Sequence, residues 1–416
     1  MSVLSCSKSH LVLTESNSEA TSPDGDIPLT FQVFSTVAAI PRGDWEEIVP
    51  DSQTCLRHDF LAGIERVSQG VMDFRYVLFY QKKRPVAFAS FQIVRFDVGK
   101  IGPYARNTGA SRNPLQAAGH FVARVAKDIS RRFSIRVLTL GNAFLTGEYG
   151  FYHHPEIAPQ RAFEALMDAV KQLRRETGKI RAVLLKDFYP GPQHPEKYLC
   201  EQGFHLFHGD PNMILHLQPE WETFDHYLDA MSSKYRQRAR SAFKKSSELV
   251  SRDMSLEDIL AQNGRLYALF CKIAEKDRFV LQQVPERYFC GLKTHMGDAL
   301  KVTGYYQNGE LIAFMTHIPN GRTLEAHYLG YDPEWNRDLK IYQRMLYDTV
   351  RFAIDEGFAC ISLGRTAMEI KSTVGAEGHT MNMYLLATQP LINRLARPTM
   401  RNLSMEDWIP RNPFRD

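Results

Sequence analysis

The spacing of apolar residues between Thr323 and Ala376 predicts an α/β unit. Apolar and polar residues alternate from Leu324 to Leu329, which predicts a short strand. After a turn-like segment, apolar residues recur at three- and four-residue steps from Leu339 to Glu356, which predicts a helix with one buried face. Gly357 is placed to end that helix, and the β-prone run from Phe358 to Leu363 predicts a second strand. This order is typical of a helix packed on a sheet.

The first half of the chain carries a similar pattern. FYQKKRPVAFAS, from Phe79, aligns without a gap with YYQNGELIAFMT, from Tyr305, and each run predicts a β-hairpin. Both halves continue with a helix, a glycine and a strand. An additional segment in the first half, Asp97 to Leu140, includes a predicted helix from Pro114 to Phe133. A repeat this long indicates duplication of a whole α/β domain, and two unrelated α/β domains are the alternative.

Helix breakers and composition divide the chain. A strand from Asn212 to Leu217 is predicted to close the first domain, because Pro219 follows it. In the second domain, a long helix is predicted from Leu256 to Lys276, with Ser255 and Asp258 as its capping box. The predicted segments are a disordered tail (1–28), an N-terminal domain (29–218), a C-terminal domain (219–390) and a C-terminal tail (391–416).

Composition narrows the class of protein. A length of 416 residues calls for at least two domains, and 44% hydrophobic with 24% charged residues is typical of globular proteins. The net charge of +4 does not by itself indicate nucleic-acid binding. The six scattered cysteines form no C-x-x-C pair, which disfavours zinc and favours a reduced, cytoplasmic location. No apolar run approaches ~20 residues, so no transmembrane helix is expected.

Two runs carry a family resemblance. SLGRTAMEIKSTVGAEG, from Ser362, resembles the closing segment of the FemAB-like branch of the GNAT acyltransferase superfamily. HYLGYDPEWN, from His327, and the helix after it are similar to the acyl-donor strand, loop and helix of that fold. The resemblance implies two tandem GNAT-like domains, each a mixed α/β sheet flanked by helices. The loop departs from the usual acetyl-CoA pattern, which has Arg or Gln before Gly-x-Gly or Gly-x-Ala, and it is not a nucleotide P-loop.

The resemblance implies N-acyl transfer from an activated donor to a small-molecule or peptide amine. Acyl-CoA is the favoured donor and co-substrate, and no metal ion is expected. Aminoacyl-tRNA, the donor of the Fem enzymes, is the alternative. The segment from Leu256 to Met296 is too short and interrupted for the helical arm of those enzymes, which weakens that alternative. A non-catalytic binding protein that keeps the fold is the rival hypothesis, and the sequence leaves the oligomeric state open.

Three residues on the candidate donor strand have side chains suited to this chemistry. The attacking amine must lose a proton, for which Glu325 or His327 can be the base, and Tyr328 can protonate the leaving group. Strand alternation predicts Glu325 and His327 on one side and Tyr328 on the other. Packing alone is the alternative for the histidine and the tyrosine. The resemblance assigns donor binding to the residues that follow: Leu329, Gly330, Tyr331 and Asn336.

The basic segment KYRQRARSAFKK begins at Lys234. On a helix, Arg236, Arg240 and Lys244 share one face. Guanidinium groups bind phosphate in a bidentate manner, so this face is a candidate site for the phosphates of CoA or of a tRNA end. A solvated charged face is the alternative.

Two more cations follow the last predicted parallel strand. Arg365 and Lys371 lie where ligands of α/β sheets usually bind, which makes both candidates for holding an anionic part of the acceptor. A surface salt bridge of Lys371 with Glu369 or Glu377 is the alternative.

A glycine-rich loop in the first half contains Glu148, Tyr149, His153 and His154. Adjacent histidines face apart, which disfavours a metal pair. The loop is interpreted as a degenerate donor site or as a wall of the acceptor cleft. The donor itself is expected in the second domain, whose strand–loop–helix unit is uninterrupted.

Overall fold

The computed structural model describes residues 28–97, 134–274, 281–401 and 408–414. These residues form two mixed β-sheets flanked by helices, which confirms the predicted α/β class. The helix predicted from Pro114 to Phe133, and all of the predicted N-terminal tail except residue 28, lie outside the described residues. No described helix is both long and apolar enough to cross a bilayer.

The strands are short and numerous. In chain order they are β1 Leu29–Phe34, β2 Asp73–Gln81, β3 Arg84–Asp97, β4 Ser134–Leu140, β5 Phe151–His153, β6 Ile180–Phe188, β7 His205–His208, β8 Asn212–His216, β9 Val250–Asp253, β10 Lys301–Gln307, β11 Glu310–Asn320, β12 Thr323–Tyr331, β13 Cys360–Ser362, β14 Glu377–His379 and β15 Asn382–Ala387.

The α-helices lie between these strands. They are α1 Arg42–Ile48, α2 His58–Val67, α3 Pro159–Thr177, α4 Glu196–Glu201, α5 Phe224–Ala230, α6 Ser233–Lys245, α7 Leu256–Ala261, α8 Asn263–Ala274, α9 Tyr288–Met296, α10 Pro333–Leu339, α11 Ile341–Asp355, α12 Met368–Ser372 and α13 Pro390–Arg401.

The two sheets have the same strand order. The first runs β1-β2-β3-β4-β6-β15-β7, with β5 added beside β3, and the second runs β9-β10-β11-β12-β13-β8-β14. In each sheet the fourth and fifth strands form a parallel pair, β4 with β6 and β12 with β13. Their neighbours pair antiparallel. The two halves therefore repeat one fold.

The hairpin repeat in the sequence is a repeat in structure. Tyr80 follows a register shift in β2, and Tyr306 follows the same shift in β10. Phe88 and Phe314 occupy equivalent positions on the partner strands β3 and β11. Asn308 and the glycine after it have φ values of 51° and 82°, as a tight two-residue turn requires. The predicted equivalence of the two hairpins is confirmed.

The last strand of each half lies in the sheet of the other half. β8 comes from the first half and lies between β13 and β14, while β15 comes from the second half and lies between β6 and β7. The two exchanged strands share the sequence Asn-Met-x-Leu, beginning at Asn212 and Asn382. The strand predicted at residues 212–217 is confirmed as β8, but it lies in the second sheet, because a sequence pattern predicts a strand and not its partner. The boundary between residues 218 and 219 stays a prediction.

Several predicted helices differ in their limits. The helix predicted from Leu339 to Glu356 is confirmed as α11, but it is separated from α10 by Lys340, whose φ is 54°. The long helix predicted after Ser255 is divided into α7 and α8 at Gln262, although the predicted capping box of Ser255 and Asp258 is present.

The predicted C-terminal tail contains structure. It includes α13, and Phe414 further along packs on Trp221 with ring centroids 5.0 Å apart. Burial of this apolar ring against the second half explains why the tail is ordered there.

The largest hydrophobic core cluster belongs to both halves. It joins Trp45 and Phe60 of the first half with Leu269, Phe289 and Phe314 of the second. A shared core and exchanged strands together make the two halves one cooperative unit.

The two halves are therefore expected to unfold together. A variant that keeps Trp45 as its only tryptophan reports on the shared core, and one that keeps only Trp221 reports on the second half. During urea unfolding, the fluorescence midpoint of each variant should equal its own midpoint by far-UV circular dichroism, because neither sheet is complete without the other. A fluorescence midpoint that precedes the circular dichroism midpoint in one variant would contradict this coupling.

Candidate active site

The parallel strands β12 and β13 separate directly after Glu325. They pair only from Thr323 to Glu325 on one side and from Cys360 to Ser362 on the other. β12 then continues to Tyr331 against β11, whereas the chain after β13 stays hydrogen-bonded to Met213 of β8 through Leu363 and Gly364. A gap therefore opens between two neighbouring strands, and Glu325 is the last paired residue at its closed end.

In the first half, a loop interrupts the equivalent strand. β4 ends at Leu140, which is still paired with Leu185 of β6. Through the shared hairpin register, Leu140 corresponds to Ala326, and Thr139 corresponds to Glu325. The strand resumes after residues 141–150 as β5, which pairs with β3 where the end of β12 pairs with β11. The first half therefore lacks the carboxyl group and an uninterrupted strand beyond it.

Glu325 is buried and held by hydroxyl groups. It is 5% exposed, accepts a hydrogen bond from Tyr149 Oη, and is hydrogen-bonded to Ser362. Burial raises the pKa of Glu325 to about 7, although both hydroxyl groups act in the opposite direction. Tyr149 belongs to the glycine-rich loop of the first half, so the two halves meet at this carboxyl group.

An asparagine from the exchanged strand β8 extends the hydrogen-bonded network. Asn212 Nδ2 donates to Tyr189 Oη at 2.7 Å and to Ser362 Oγ at 3.1 Å. Tyr189 follows β6 of the first half, and burial raises its pKa to about 12. The exchanged strand thus places a polar side chain between the ends of the two parallel pairs.

A buried ion pair lies at the end of β6. Asp187 accepts hydrogen bonds from Lys186 Nζ, from the guanidinium of Arg365, and from the backbone N–H of Gly147 at 3.2 Å. Its φ of 67° is unusual for a residue with a side chain, and such backbone strain concentrates at functional sites. Burial lowers the pKa of Lys186 to about 8. By strand register, Asp187 and Arg365 occupy equivalent positions in the two halves.

A second carboxyl group borders this network. Glu148 Oε1 accepts a hydrogen bond from the backbone N–H of Tyr189 at 2.6 Å and lies 3.4 Å from His194 Nε2. Burial raises the pKa of Glu148 to about 7. Two carboxyl groups that change charge near neutral pH thus belong to one network across both halves.

The predicted arrangement of His327 and Tyr328 is wrong. β12 contains a bulge, because Thr316 pairs with Tyr328 and the next residue of β11 pairs with Ala326, which leaves His327 as the extra residue. The rings of His327 and Tyr328 both lie 5.6 Å from that of Tyr288. The bulge cancels the strand alternation on which the prediction was based.

His327 is partly buried between two hydroxyl groups. Its Nε2 lies 2.9 Å from Tyr288 Oη, and its Nδ1 lies 3.3 Å from Thr316 Oγ1. Burial lowers the pKa of His327 to about 3, so its imidazole is neutral at physiological pH. Tyr328 packs in the same aromatic group, with its ring 5.3 Å from that of Phe270.

The residues predicted to bind the donor continue along the strand edge. Leu329 and Tyr331 pack against the second hydrophobic core. Gly330 has a structural reason to lack a side chain, since a Cβ there would lie 2.5 Å from Phe314 and 2.6 Å from the backbone of Phe270 in α8. A helix therefore packs directly on the strand at this glycine.

Asn336 lies on α10, and its side chain reaches the start of α11. Its Oδ1 accepts a hydrogen bond from the backbone N–H of Tyr342 at 2.9 Å, which satisfies one donor in the first turn of that helix. Arg337 and Lys340 precede the same turn and bring positive charge to the positive end of the helix dipole. Asp332 caps α10 by accepting from Glu334 N at 3.3 Å.

The structure separates the predicted basic residues. Arg236, on α6, donates to Asp229 at 2.9 Å, while Arg240 and Lys244 are exposed on the same helix. Lys371 is buried and donates to the carbonyl of Gly364 at 3.3 Å. Among the five residues predicted to bind substrate, Arg365 is therefore the one with a described contact to the network around Asp187.

One of the two carboxylates considered for a salt bridge with Lys371 has another described partner. Glu369 pairs with Arg411 from the C-terminal segment instead. Lys371 points its ammonium group at the end of β13, where it helps to hold the turn that leads to Arg365.

Sequence reasoning missed several members of the network. They are Lys186, Asp187, Tyr189, His194, Asn212 and Ser362. The first three lie at the carboxyl end of the parallel strand β6 or directly after it. The rule that selected Arg365 would therefore have found them if it had been applied to the first half. Asn212 gave no such signal, because its position depends on the strand exchange.

Comparisons with known proteins agree with this architecture. Residues 233–372 match the family model described as acetyltransferase (GNAT) domain, which includes β12, β13 and Glu325. No curated protein sequence matches the chain significantly. Among the described residues, no group of three or more His, Cys, Asp or Glu side chains is arranged to hold a metal ion.

Two solved structures share the fold over most of the chain. FemX has a TM-score of 0.51 at 11% identity, over 81% of this chain and 94% of that chain. A tandem GNAT protein from the clavulanic acid biosynthesis pathway has a TM-score of 0.50 at 10% identity, over 87% of this chain and 99% of that chain. Identities this low establish a shared fold and not a shared substrate. Residues 233–372 thus match a GNAT acetyltransferase domain, and the whole chain, with its two equivalent sheets, has a tandem-domain fold like that of FemX and of the tandem GNAT protein.

Proposed function

We propose that the protein is an N-acyltransferase that moves an acyl group from an acyl-CoA to an amine. The GNAT domain and the tandem GNAT fold support acyl transfer in general. The observation that carries the proposal is the gap between β12 and β13 with Glu325 at its closed end. An open strand edge offers backbone donors to a thioester carbonyl, and a carboxyl group beside it can accept the proton of an attacking amine.

Glu325 is the base in this proposal. The amine nitrogen attacks the thioester carbon, its proton passes to the carboxylate, and the carbon–sulfur bond breaks to release the CoA thiolate. A base is most effective when its pKa is near the working pH, which a value of about 7 satisfies. His327, with its pKa lowered to about 3, is a much weaker base. Tyr328, further along the strand, is assigned to protonate the thiolate.

The second half is proposed to bind the donor. The first half has Thr139 in place of Glu325, and its strand is interrupted after Leu140 before it resumes as β5. In the second half, Leu329, Gly330 and Tyr331 lie along the continuing strand. Two cations, Arg337 and Lys340, stand before the first turn of α11, where the helix dipole favours phosphate.

The acceptor amine is proposed to enter between the halves. Tyr149 and Glu148 come from the first half, and both belong to the network that reaches Glu325. A carboxylate near the entrance attracts an ammonium group, and deprotonation then depends on Glu325. Arg365, fixed by Asp187, and the exposed Arg240 and Lys244 remain proposed contacts for anionic parts of the substrates.

The region of α7 to α9 supports acyl-CoA over aminoacyl-tRNA as the donor. The Fem-type arm is a long helical hairpin, whereas here three short helices bury Ile259, Leu266 and Phe289 in the shared core. An arm that reaches for tRNA has to project from the domain, and these helices do not. Release of an aminoacyl group from tRNA, with no thiol released from acyl-CoA, would favour the alternative.

Replacing Glu325 by Gln should remove the base and keep the donor site. We expect kcat for thiol release from acyl-CoA, in the presence of a panel of amines, to fall by about 10²- to 10⁴-fold. The Kd for acyl-CoA, measured by titration calorimetry, should change little. Glu334→Gln, at an exposed position on α10, is the matched control and should keep the parental rate. An unchanged kcat in Glu325→Gln would remove Glu325 from the mechanism.

Replacing Tyr149 by Phe should alter the pH profile. The hydrogen bond from Tyr149 lowers the pKa of Glu325, so its loss should raise that pKa further above about 7. The acid limb of kcat/KM should move to higher pH, while the rate on the alkaline plateau should be largely kept. Tyr152→Phe serves as the control, because no described hydrogen bond joins the Tyr152 side chain to the network. An unshifted limb would show that the base is a different group.

The buried Glu325 also predicts how stability depends on pH. Its pKa is raised in the folded state, so the folded protein holds this proton more tightly than the unfolded chain does, and stability falls as pH rises from about 4.5 to about 7. The Glu325→Gln variant has no carboxyl group to ionise at this position. Its free energy of unfolding should therefore gain up to about 3 kcal/mol relative to the parent across that range. Urea unfolding at pH 5 and pH 8 measures the difference. Equal pH dependence in parent and variant would contradict the raised pKa.

A further inference from the structure

Helix α13 is fixed to the first sheet by a polar side chain. Asn393 Nδ2 donates to the carbonyl of Gly203 at 2.9 Å, and its Oδ1 accepts from the backbone N–H of Ala387 at 2.9 Å. His205 Nε2 lies 2.8 Å from the carbonyl oxygen of Asn393. The side of the helix that faces the protein is therefore defined by Asn393.

Large apolar side chains lie on the outer side of the same helix. Leu391, Ile392 and Leu395 are 71%, 51% and 65% exposed. With 3.6 residues per turn, these three span roughly 100° of the helix circumference, and Asn393 lies on the opposite side. A surface helix normally turns its apolar side inward, so the arrangement is inverted. Exposed apolar groups that cluster in this way mark a surface that binds another protein or a membrane.

A basic groove adjoins the start of α13. It has a volume of about 470 Å³, and Thr388 and Gln389, directly before the helix, form part of its wall. Lys171 in the groove is paired with Asp168 at 2.9 Å, whereas the part of the chain that the structure describes places no carboxylate within ion-pair distance of the other cations. The cations of the groove are Lys171, Arg174, Arg175, Lys179 and Arg181.

We propose that α13 and this basic groove form a docking surface for an anionic lipid bilayer. The three apolar side chains enter the interfacial layer, and the groove cations contact headgroup phosphates. Stable binding at a membrane surface usually needs both an apolar and an electrostatic contribution, and this surface offers the two side by side. Arg394, exposed on the same helix beside Leu395, adds a further cation, which suits an anionic surface.

Charge complementarity favours a bilayer over a second copy of the chain. A symmetric dimer through α13 would bring the two basic grooves close to each other, and like charges at an interface are unfavourable. An anionic bilayer instead supplies phosphates next to an apolar layer, in the same arrangement as the groove and the helix.

The test is co-sedimentation of the full chain with vesicles. Vesicles of phosphatidylglycerol and phosphatidylcholine should bind the protein, vesicles of phosphatidylcholine alone should bind it weakly, and added salt should release it. Two double variants, Leu391→Glu with Leu395→Glu and Arg175→Ser with Arg181→Ser, should each reduce binding by about tenfold or more. Val250→Glu changes an exposed valine on β9 of the other sheet and should bind like the parent.

Each other outcome overturns the proposal. These outcomes are absence of binding to anionic vesicles, equal binding to both kinds of vesicle, and parental binding by either double variant. Dissociation of a dimer by Leu391→Glu with Leu395→Glu, seen by analytical ultracentrifugation, would assign the surface to a second copy. Loss of vesicle binding on addition of millimolar inorganic phosphate, at constant ionic strength, would assign the groove to a soluble anion. Circular dichroism establishes that each variant is folded.

Discussion

The exchange of β8 and β15 is the constraint on which the rest of the structure depends. Each sheet has a position beside its parallel pair that only the other half fills. Backbone hydrogen bonds in a sheet interior have to be satisfied, so neither half forms a complete sheet by itself. The exchange also carries Asn212 to the end of β13, where it connects Ser362 with Tyr189. The polar network between the halves is thus a consequence of topology.

Burial gives the site its chemical character. A carboxyl group in apolar surroundings favours its neutral form, and Glu325 and Glu148 both have pKa values raised to about 7 for this reason. Asp187 is buried as well, but Arg365 and Lys186 compensate its charge. A buried ion pair of this kind contributes more to orientation than to stability. It fixes the two strand ends between which the titrating groups lie.

Local patterns in the sequence predicted local structure well. The hairpins at Tyr80 and Tyr306 were predictable because alternation and turn residues act over a few positions. The bulge at His327 was not, since one extra residue leaves the apolar pattern almost unchanged while it reverses the side chains. The strand exchange was not predictable either, because the residue pattern of β8 predicts a strand without indicating which sheet it joins.

The candidate site was predicted in part for the same reason. Glu325 was found because it lies on a recognisable strand, and Arg365 because it follows one. Asp187 and Tyr189 meet the same rule but were not selected, and their importance becomes visible only when Arg365 from the other half reaches them. Contacts between distant segments are the information that a single sequence does not contain.

The exchanged strands also bear on how such a chain evolves after duplication. A redundant copy usually accumulates deletions once its own chemistry is dispensable. Here a deletion that removed β8 would leave β13 and β14 with open edges, and open edges pair with other chains and aggregate. Selection for a folded second half therefore preserves the first, whatever reaction the first half once performed.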